Sequence, residues 1–366
     1  MITCRKIASL ITAMLKLYSH FYLAICLTLC ACSATKRATT DFNKFPVTAT
    51  QTETKLFDTG LPMPQLMTIY KDSLLLVVNN MNRNPHHVRV YDIAGKKAVN
   101  NLLPASQQKG GTLSFMSFGI SDSLVWIFDV AKNGFITGNI NTLLTGDGSL
   151  AHYSEYRLKP QIFYYDALLL NRNETLLSGN YDTDEKLIYR NFSDSTRNKT
   201  LLSYHNDSAI GSSRINKMSY ESFMLLRPDK QKLLLAGRYT DQFELLDLAN
   251  GSYKKIKGPV GFAPQLSPFE DNTGTTVATP DNETLYGFLK GHVTRQFFYL
   301  LFSGSPVKSD RRFYGNKILV FDWDGNPVKQ INLKNDIVDF TVSSDDRTIY
   351  TLNPRTKAIS FAELKW

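Results

Sequence analysis

The stretch "ILVFDWDGNPVKQINL", Ile318 to Leu333, decides the fold because it reads as a strand, a tight turn and a second strand. Apolar residues alternate on both sides of the pair Asp324-Gly325, and this pair favours a hairpin turn because glycine adopts a positive φ without steric cost. The pattern returns in weaker form in "VRVYDIAGKKAVNNLL" from Val88 and in "FELLDLANGSYKKIKG" from Phe243. A chain that repeats one hairpin is typical of a repeat architecture.

Strand-like runs separated by turn residues fill the rest of the chain, and helical periodicity is nearly absent. Grouped in fours, these runs predict six modules of two successive hairpins, which begin near Leu66, Ser114, Phe163, Phe223, Thr276 and Ile337. In the fifth, "TTVATPDNETLYGFL" could be a first hairpin or a first strand with an insertion. Six four-stranded sheets arranged radially make an all-β, six-bladed β-propeller, which is the fold that we predict.

The two ends of the repeat region predict how the ring closes. The last module supplies three strands and stops at Trp366, where a fourth strand is due. Near the other end, "TETKLFDTG" from Thr52 resembles a fourth strand without a module of its own. Because proteins avoid unpaired sheet edges, we expect Lys55 to Phe57 to complete the last blade.

The first residues resemble a secretory signal that ends in a bacterial lipobox. Basic residues precede the short apolar run "FYLAICLTLC", and Leu29-Cys30-Ala31-Cys32 follows the lipobox pattern, with Cys32 as the lipidated residue and Cys30 as a weaker alternative. We therefore predict a signal peptide over residues 1–32, a flexible tether over 33–50 and the propeller over 51–366. All four cysteines fall in the signal, so no disulfide or cysteine-based metal site is expected in the folded part.

A search for catalytic or metal-binding motifs predicts no catalytic residue, no metal site and no cofactor. The histidines match no metal motif, and the adjacent pair His86-His87 is expected in a solvated loop. The recurrent Asp92, Asp247 and Asp322 are interpreted as turn residues, each accepting a hydrogen bond from the backbone two residues further on. The net charge of +9 includes basic residues of the signal and no long basic run, so no nucleic-acid partner is predicted.

The longest loop expected between a second and a third strand is the candidate binding site. "GSPVKSDRRFYGN" from Gly304 places three basic residues beside two aromatic ones, namely Lys308, Arg311, Arg312, Phe313 and Tyr314. Arginine pairs with carboxylate, phosphate or sulfate, and aromatic rings pack on sugar rings or side chains. This composition predicts an acidic protein or an anionic glycan as partner, although a solvated loop whose aromatic residues pack on the blade is an alternative.

The lipobox together with "FFYLLFSG" from Phe297, the hairpin from Ile318 and "DFTVSSDDRTIYTL" from Asp339 resembles the TolB-like six-bladed propeller lipoproteins of Bacteroidota. That resemblance implies the fold and an envelope location but no established activity. We therefore expect a non-catalytic, lipid-anchored protein on the periplasmic face of the outer membrane, which binds an envelope protein or a glycan. A propeller enzyme, such as a lactone hydrolase or a glycan-cleaving enzyme, is the alternative.

The lipobox generates the first prediction. Replacing Cys32 by alanine removes the only thiol that the preferred lipobox can acylate, so the protein should leave the membrane fraction. Membrane fractionation and intact mass measure the outcome, with Cys30→Ala as the matched control that should stay bound. Unchanged fractionation of the Cys32 variant, without a mass shift, contradicts lipidation at this position.

Overall fold

The computed structural model describes residues 39–40, 44–79, 85–146, 148–159, 162–207, 210–211, 213–272 and 274–366, without the side chains of residues 39, 40 and 206. The predicted signal peptide and Cys32 lie outside the described residues. The described part forms one compact unit from Thr39 to Trp366. Within these ranges no helix has the length and apolar character of a membrane span.

Six four-stranded antiparallel sheets, the blades, make up the fold as predicted. Three strands precede the first blade: β1 (Thr39–Thr40), β2 (Val47–Gln51) and β3 (Thr54–Asp58). Blades 1 to 3 are built from β4 (Pro64–Tyr70), β5 (Leu74–Asn79), β6 (His86–Asp92), β7 (Lys97–Pro104); β8 (Phe115–Ser121), β9 (Leu124–Asp129), β10 (Gly134–Asn139), β11 (Tyr153–Arg157); and β12 (Asp166–Asn171), β13 (Glu174–Ser178), β14 (Glu185–Asn191), β15 (Lys199–Ser203).

Blades 4 to 6 follow the same order, with a helical insertion before blade 4 and a hairpin insertion before blade 5. They are built from β16 (Ser222–Leu226), β17 (Lys232–Gly237), β18 (Phe243–Asp247), β19 (Tyr253–Ile256); β22 (Phe288–Val293), β23 (Phe297–Phe302), β24 (Gly315–Asp322), β25 (Pro327–Ile337); and β26 (Asp339–Val342), β27 (Thr348–Leu352), β28 (Ala358–Glu363) with β3. The remaining elements are helices α1 (Ile140–Thr145) and α2 (Arg214–Ser219), the hairpin β20 (Leu266–Glu270) with β21 (Thr276–Pro280), and 3-10 turns at Leu150–His152, Ser195–Arg197 and Tyr204–Asn206.

Each blade is apolar on both faces, and each face is buried by a neighbouring blade. Leu75 and Leu76 are adjacent on β5, yet Leu75 packs towards blade 6 and Leu76 towards blade 2. Likewise, Leu300 of β23 packs towards blade 4 and Leu301 towards blade 6. Successive side chains on a strand point to opposite faces, so continuously apolar runs are what a sheet between two others requires. Burying each such leucine contributes roughly 1.5–3 kcal/mol.

The recurrent aspartates are turn residues, as the sequence predicts. Asp322 Oδ1 accepts from the backbone N–H groups of Asp324 at 2.9 Å and Asn326 at 2.8 Å, and Asp247 and Asp92 accept from backbone N–H groups in the same way. Gly325 has φ of +82°, and a Cβ at this position would lie 2.0 Å from Ile256 Cδ1. The Asp-Gly turn therefore fits both the hairpin and the close packing of blade 5 on blade 4.

The ring closes as predicted, because β3 pairs antiparallel with β28 and becomes the fourth strand of blade 6. The prediction of a tether over residues 33–50 is wrong at its C-terminal end. There β2 runs parallel to β25 as a fifth strand of blade 5, and the short β1 lies parallel to β19 of blade 4. Phe45, between these two strands, packs edge-on against Phe321 with ring centroids 5.3 Å apart. Hydrogen bonds between main chains thus place these polar, threonine-rich residues in the sheets, although their composition is typical of a flexible linker.

Two further boundaries differ from the prediction. The fifth blade begins at Phe288 rather than near Thr276, because residues 266–280 form the separate hairpin β20–β21. His86 and His87 open β6 instead of occupying a solvated loop, and His87 is buried edge-on against Phe115. In both places turn-forming residues lie next to the strand, so local pattern could not locate its start.

Closure of the ring generates the second prediction. Deleting residues through Gly60 removes β3 and exposes the edge of β28, so the melting temperature should fall by at least about 10 °C. A matched deletion through Gln51 removes β1, β2 and the contact of Phe45 with Phe321 but keeps β3, and should lower the melting temperature clearly less. Thermal unfolding followed by circular dichroism compares them, and equal melting temperatures contradict closure by β3.

Candidate functional site

The strand order defines two ends of the propeller, and one of them carries the long loops. On the top face lie the connections between blades and the loops between the second and third strand of each blade. Its described segments are 59–63, 85, 105–114, 130–133, 158–159, 162–165, 179–184, 204–207, 210–211, 213–221, 238–242, 257–272, 274–287, 303–314 and 353–357. The bottom face carries mostly tight turns between the first and second and between the third and fourth strands. Loops that form binding sites are disproportionately long ones, so the top face is the first place to look.

The predicted binding loop lies on the top face, between β23 and β24 of blade 5, but two of its three cations are already paired with carboxylates, and the third is bonded to a backbone carbonyl oxygen. Lys308 forms an ion pair with Glu283, and Arg311 Nη2 lies 2.5 Å from Asp336 Oδ1. Arg312 Nη1 donates to the Val307 carbonyl oxygen at 3.0 Å. A carboxylate or sulfate on a partner would therefore compete with Glu283 and Asp336 for this loop.

The aromatic residues of the loop are differently placed. Phe313 is 51% exposed, although its ring touches Tyr286 at 5.5 Å between centroids and carries the Arg312 guanidinium at 5.0 Å. Tyr314 is half-buried. The main exposed feature of the loop is therefore the apolar ring of Phe313 with the Arg312 guanidinium stacked on it, rather than unpaired positive charge.

Exposed apolar side chains concentrate on the same face. Among the described residues, seven exposed large hydrophobic side chains lie in top-face segments, and Met116 lies at the top end of β8; the seven are Met63, Leu113, Phe163, Tyr165, Val260, Phe269 and Phe313. The other three are Val47, Val99 and Trp366, on outer strands or at the bottom. Ion pairs occur on both faces, for example Lys230 with Asp122 at 2.7 Å at the bottom and Arg238 with Glu221 at 2.7 Å at the top. Scattered exposed apolar residues are normal, whereas their accumulation at one end marks an interaction surface.

A channel of about 780 Å³ passes between the first strands of all six blades. Hydrogen bonds across blade boundaries align these strands. Asp339 Oδ2 on blade 6 accepts from the Met67 N–H of blade 1 at 2.6 Å. Asp166 on blade 3 accepts from the Met224 N–H of blade 4 at 2.7 Å and from the Ser117 hydroxyl of blade 2 at 2.6 Å. Both carboxylates therefore join neighbouring blades where the channel opens to the top.

Three more ionisable side chains line this end of the channel. Arg238 Nε donates to Glu221 Oε1 at 2.7 Å, and both residues lie in top-face connections beside β16 and β17. Lys290, on β22, also lines the channel, and no described residue forms an ion pair or hydrogen bond with its ammonium group. We call Asp166, Glu221, Arg238, Lys290, Asp339 and the space between them the upper chamber.

Removal from bulk water shifts the pKa values in the upper chamber. Burial raises the pKa of Asp339 to about 7 despite nearby Lys290, and raises that of Asp166 to about 6 despite its hydrogen bonds. Burial lowers the pKa of Lys290, with Asp339 opposing that shift. The chamber therefore holds two cations against three carboxylates, one of which is about half protonated at neutral pH. No described residues form a cluster of three or more histidine, cysteine or acidic side chains suited to a metal ion.

Sequence reasoning missed the upper chamber. Its members come from blades 3 to 6 and are separated by long stretches of chain, so no local motif connects them. One signal was present: Lys290 interrupts an otherwise apolar first strand, "FLKGHV". A charge inside such a strand indicates a face that is not packed against a neighbouring blade.

Comparison with known proteins agrees with the architecture. Residues 41–345 match the family model described as TolB-like 6-blade propeller-like. No curated protein matches the chain. Similar solved structures include the β-propeller domain of Cps50 (Swd1) from Myceliophteria thermophila, with 9% identity, TM-score 0.48 and coverage of 86% of this chain and 100% of that one. Streptogramin B lyase is 12% identical with a TM-score of 0.47, and the match covers 86% of this chain and 97% of that one. The RRP9 WD40 repeats are 9% identical with a TM-score of 0.49, and the match again covers 86% of this chain and 97% of that one. Similarity at this level carries no argument about function.

The carboxyl group of Asp339 generates the third prediction. In the unfolded chain it ionises near pH 3.8, whereas in the folded protein it keeps its proton up to about pH 7. The folded state binds more protons in this window, so the stability from Asp339 is full below about pH 4 and is lost as pH rises through 7. Asp339→Asn still offers an oxygen to Met67, so its melting temperature relative to wild type should rise by about 2 °C or more between pH 5 and pH 8.

Asp345→Asn is the matched control within blade 6. A hydrogen bond from Ser343 lowers the pKa of the Asp345 carboxyl, which therefore stays ionised from pH 5 to pH 8. Its melting temperature difference from wild type should be the same at both pH values. If Asp339→Asn shows the same flat difference, the carboxyl of Asp339 does not titrate as described.

Proposed function

This chain belongs to the TolB-like six-bladed propeller family, and we propose that it is a non-catalytic binding protein whose partner docks on the top face. One observation carries the proposal: of the eleven exposed large hydrophobic side chains in the described part of the chain, eight lie at that end. The channel opens in the middle of this surface.

The chemistry of the top face favours a protein as partner. Met63, Leu113 and Val260 are aliphatic and lie on three different connections around the channel mouth. Aliphatic side chains gain most by packing against other apolar side chains, whereas glycan sites rely on aromatic platforms and polar forks. A surface distributed around a ring also suits the roughly 800 Å² that each partner buries in a standard interface.

The location is part of the proposal. Acylation at Cys32 would tether the propeller to a membrane, and the lipobox supports an envelope protein held at the periplasmic face of the outer membrane. In this arrangement the partner is another envelope protein.

An enzyme is the weaker alternative. Ionisable groups do meet in the upper chamber, and such a set is what a catalytic propeller needs. However, Asp166 and Asp339 each accept a backbone N–H of the next blade, so both carboxylates already stabilise the contact between two blades. No nucleophile with an adjacent general base is assembled among the described chamber residues.

The top face generates the fourth prediction. Phe313→Ser combined with Leu113→Ser alters two different sectors of the surface, and should reduce crosslinked partner capture from native membranes about tenfold or more. Val99→Ser is the matched control, because Val99 is similarly exposed but lies on the outer strand of blade 1. Quantitative mass spectrometry of the captured proteins measures the outcome, and equal capture by the double variant and wild type contradicts docking on this face.

Charge variants separate the apolar contribution from the basic one. Arg311→Ala with Arg312→Ala should weaken capture less than the apolar pair does, and mainly at low salt, because Arg311 is already paired with Asp336. If the arginine pair has the larger effect, or if a glycan rather than a protein is captured, docking through apolar contacts is contradicted. The anionic partner expected from the sequence is then the better proposal.

A further inference from the structure

We infer that the upper chamber is a second binding site, for a neutral, hydroxyl-rich ligand such as an uncharged oligosaccharide. The inference rests on the channel rather than on the top-face loops, although Met116 and Tyr165 at the channel mouth belong to both surfaces. Three features support it: unfilled hydrogen-bonding capacity, balanced charge and aromatic walls.

The unfilled capacity lies mainly on the cations. Lys290 carries three N–H donors, and no described group accepts from them. Arg238 uses Nε for Glu221, while no described acceptor is bonded to its terminal nitrogens. The Arg238 side chain is 35% exposed and Lys290 is half-buried, so these donors remain open to the channel, where a ligand that accepts from them forms charge-assisted hydrogen bonds.

The balanced charge selects against ions. An anionic ligand on Lys290 would meet Asp166, Glu221 and the partly ionised Asp339, while a cationic ligand would meet Lys290 and Arg238. Like charges in a space of reduced dielectric repel strongly. A hydroxyl group both donates and accepts, so one uncharged sugar can bond to the ammonium and to a carboxylate together.

Aromatic rings supply the remaining wall of the site. Tyr165 is 42% exposed and lines the channel next to Asp166, and the buried ring of Tyr181 stacks behind it with the centroids 5.6 Å apart. Phe118 and Phe223 line it on the first strands of blades 2 and 4. Ring faces pack well on the apolar C–H faces of sugars, and the whole channel, of which the upper chamber is one end, has a volume of about 780 Å³, within the range of ligand pockets.

The purified full-length protein is titrated with uncharged trisaccharides of glucose, mannose and N-acetylglucosamine, and with a glucuronic-acid trisaccharide as the anionic probe. Saturation-transfer NMR detects binding, and isothermal titration calorimetry measures Kd. At least one neutral probe should bind, and more tightly than the uronic acid. Lys290→Met should weaken that binding by about tenfold, the size expected for losing a hydrogen bond to a charged group.

Lys230→Met is the matched control, because Lys230 lines the bottom of the same channel and pairs with Asp122. It should bind the probe as the wild type does. Melting temperature confirms that each variant is folded, and Lys290→Gln replaces Lys290→Met if the latter does not fold. The inference is overturned if no neutral probe binds, if the uronic acid binds more tightly, or if Lys290 variants bind like wild type.

The same proteins distinguish this inference from the proposed function. Lys290→Met should capture the protein partner normally, and the variant with Phe313→Ser and Leu113→Ser should bind the sugar probe normally. If the top-face variant loses sugar binding while Lys290→Met binds normally, the sugar binds on the top face. That result contradicts the inference that the upper chamber is the sugar site.

Discussion

Burial of both faces of every blade is the constraint on which this molecule depends. A four-stranded sheet such as β4–β7 has apolar residues on both faces, and it is stable only between two similar sheets. Six sheets satisfy this requirement only when the last also meets the first. The strand β3 therefore matters beyond its five residues, because it completes the sheet that separates blade 5 from blade 1.

The same constraint produces the channel. Blades that pack face to face in a ring cannot bring their innermost strands together at the centre, so some side chains of the first strands line a space instead of a core. Polar residues can occupy those positions at lower cost than inside an interblade interface. Asp166 and Asp339 occupy such positions, and each accepts a backbone N–H group of the next blade. Lys290 also occupies one, but its ammonium group has no hydrogen-bond acceptor among the described residues. A strand register set by packing thus brings together charges that have no relation along the chain.

The top and bottom faces differ because connections differ in length. Most turns at the bottom join neighbouring strands of one blade and have room only for residues that satisfy the turn, as Asp322 does. Connections at the top also cross between blades, and they accommodate α2 and the β20–β21 hairpin, which pack against each other. Exposed residues such as Phe269 and Phe313 are tolerated there because nothing in the blade packing requires their positions.

The sequence by itself determined the architecture, since two-sided apolar strands, Asp-Gly turns and a displaced fourth strand are local patterns with one physical interpretation. It also located the Gly304 loop correctly between two strands. Only the tertiary structure decided what that loop offers, because the carboxylates that pair with Lys308 and Arg311 belong to other segments, at Glu283 and Asp336. Neither the pairing of β2 with β25 nor the proximity of Lys290 to Asp339 could be predicted from the sequence. The local pattern of apolar residues predicts which side chains are buried. Ion pairs and the pairing of extra strands such as β2 depend instead on which distant segments come into contact when the ring closes.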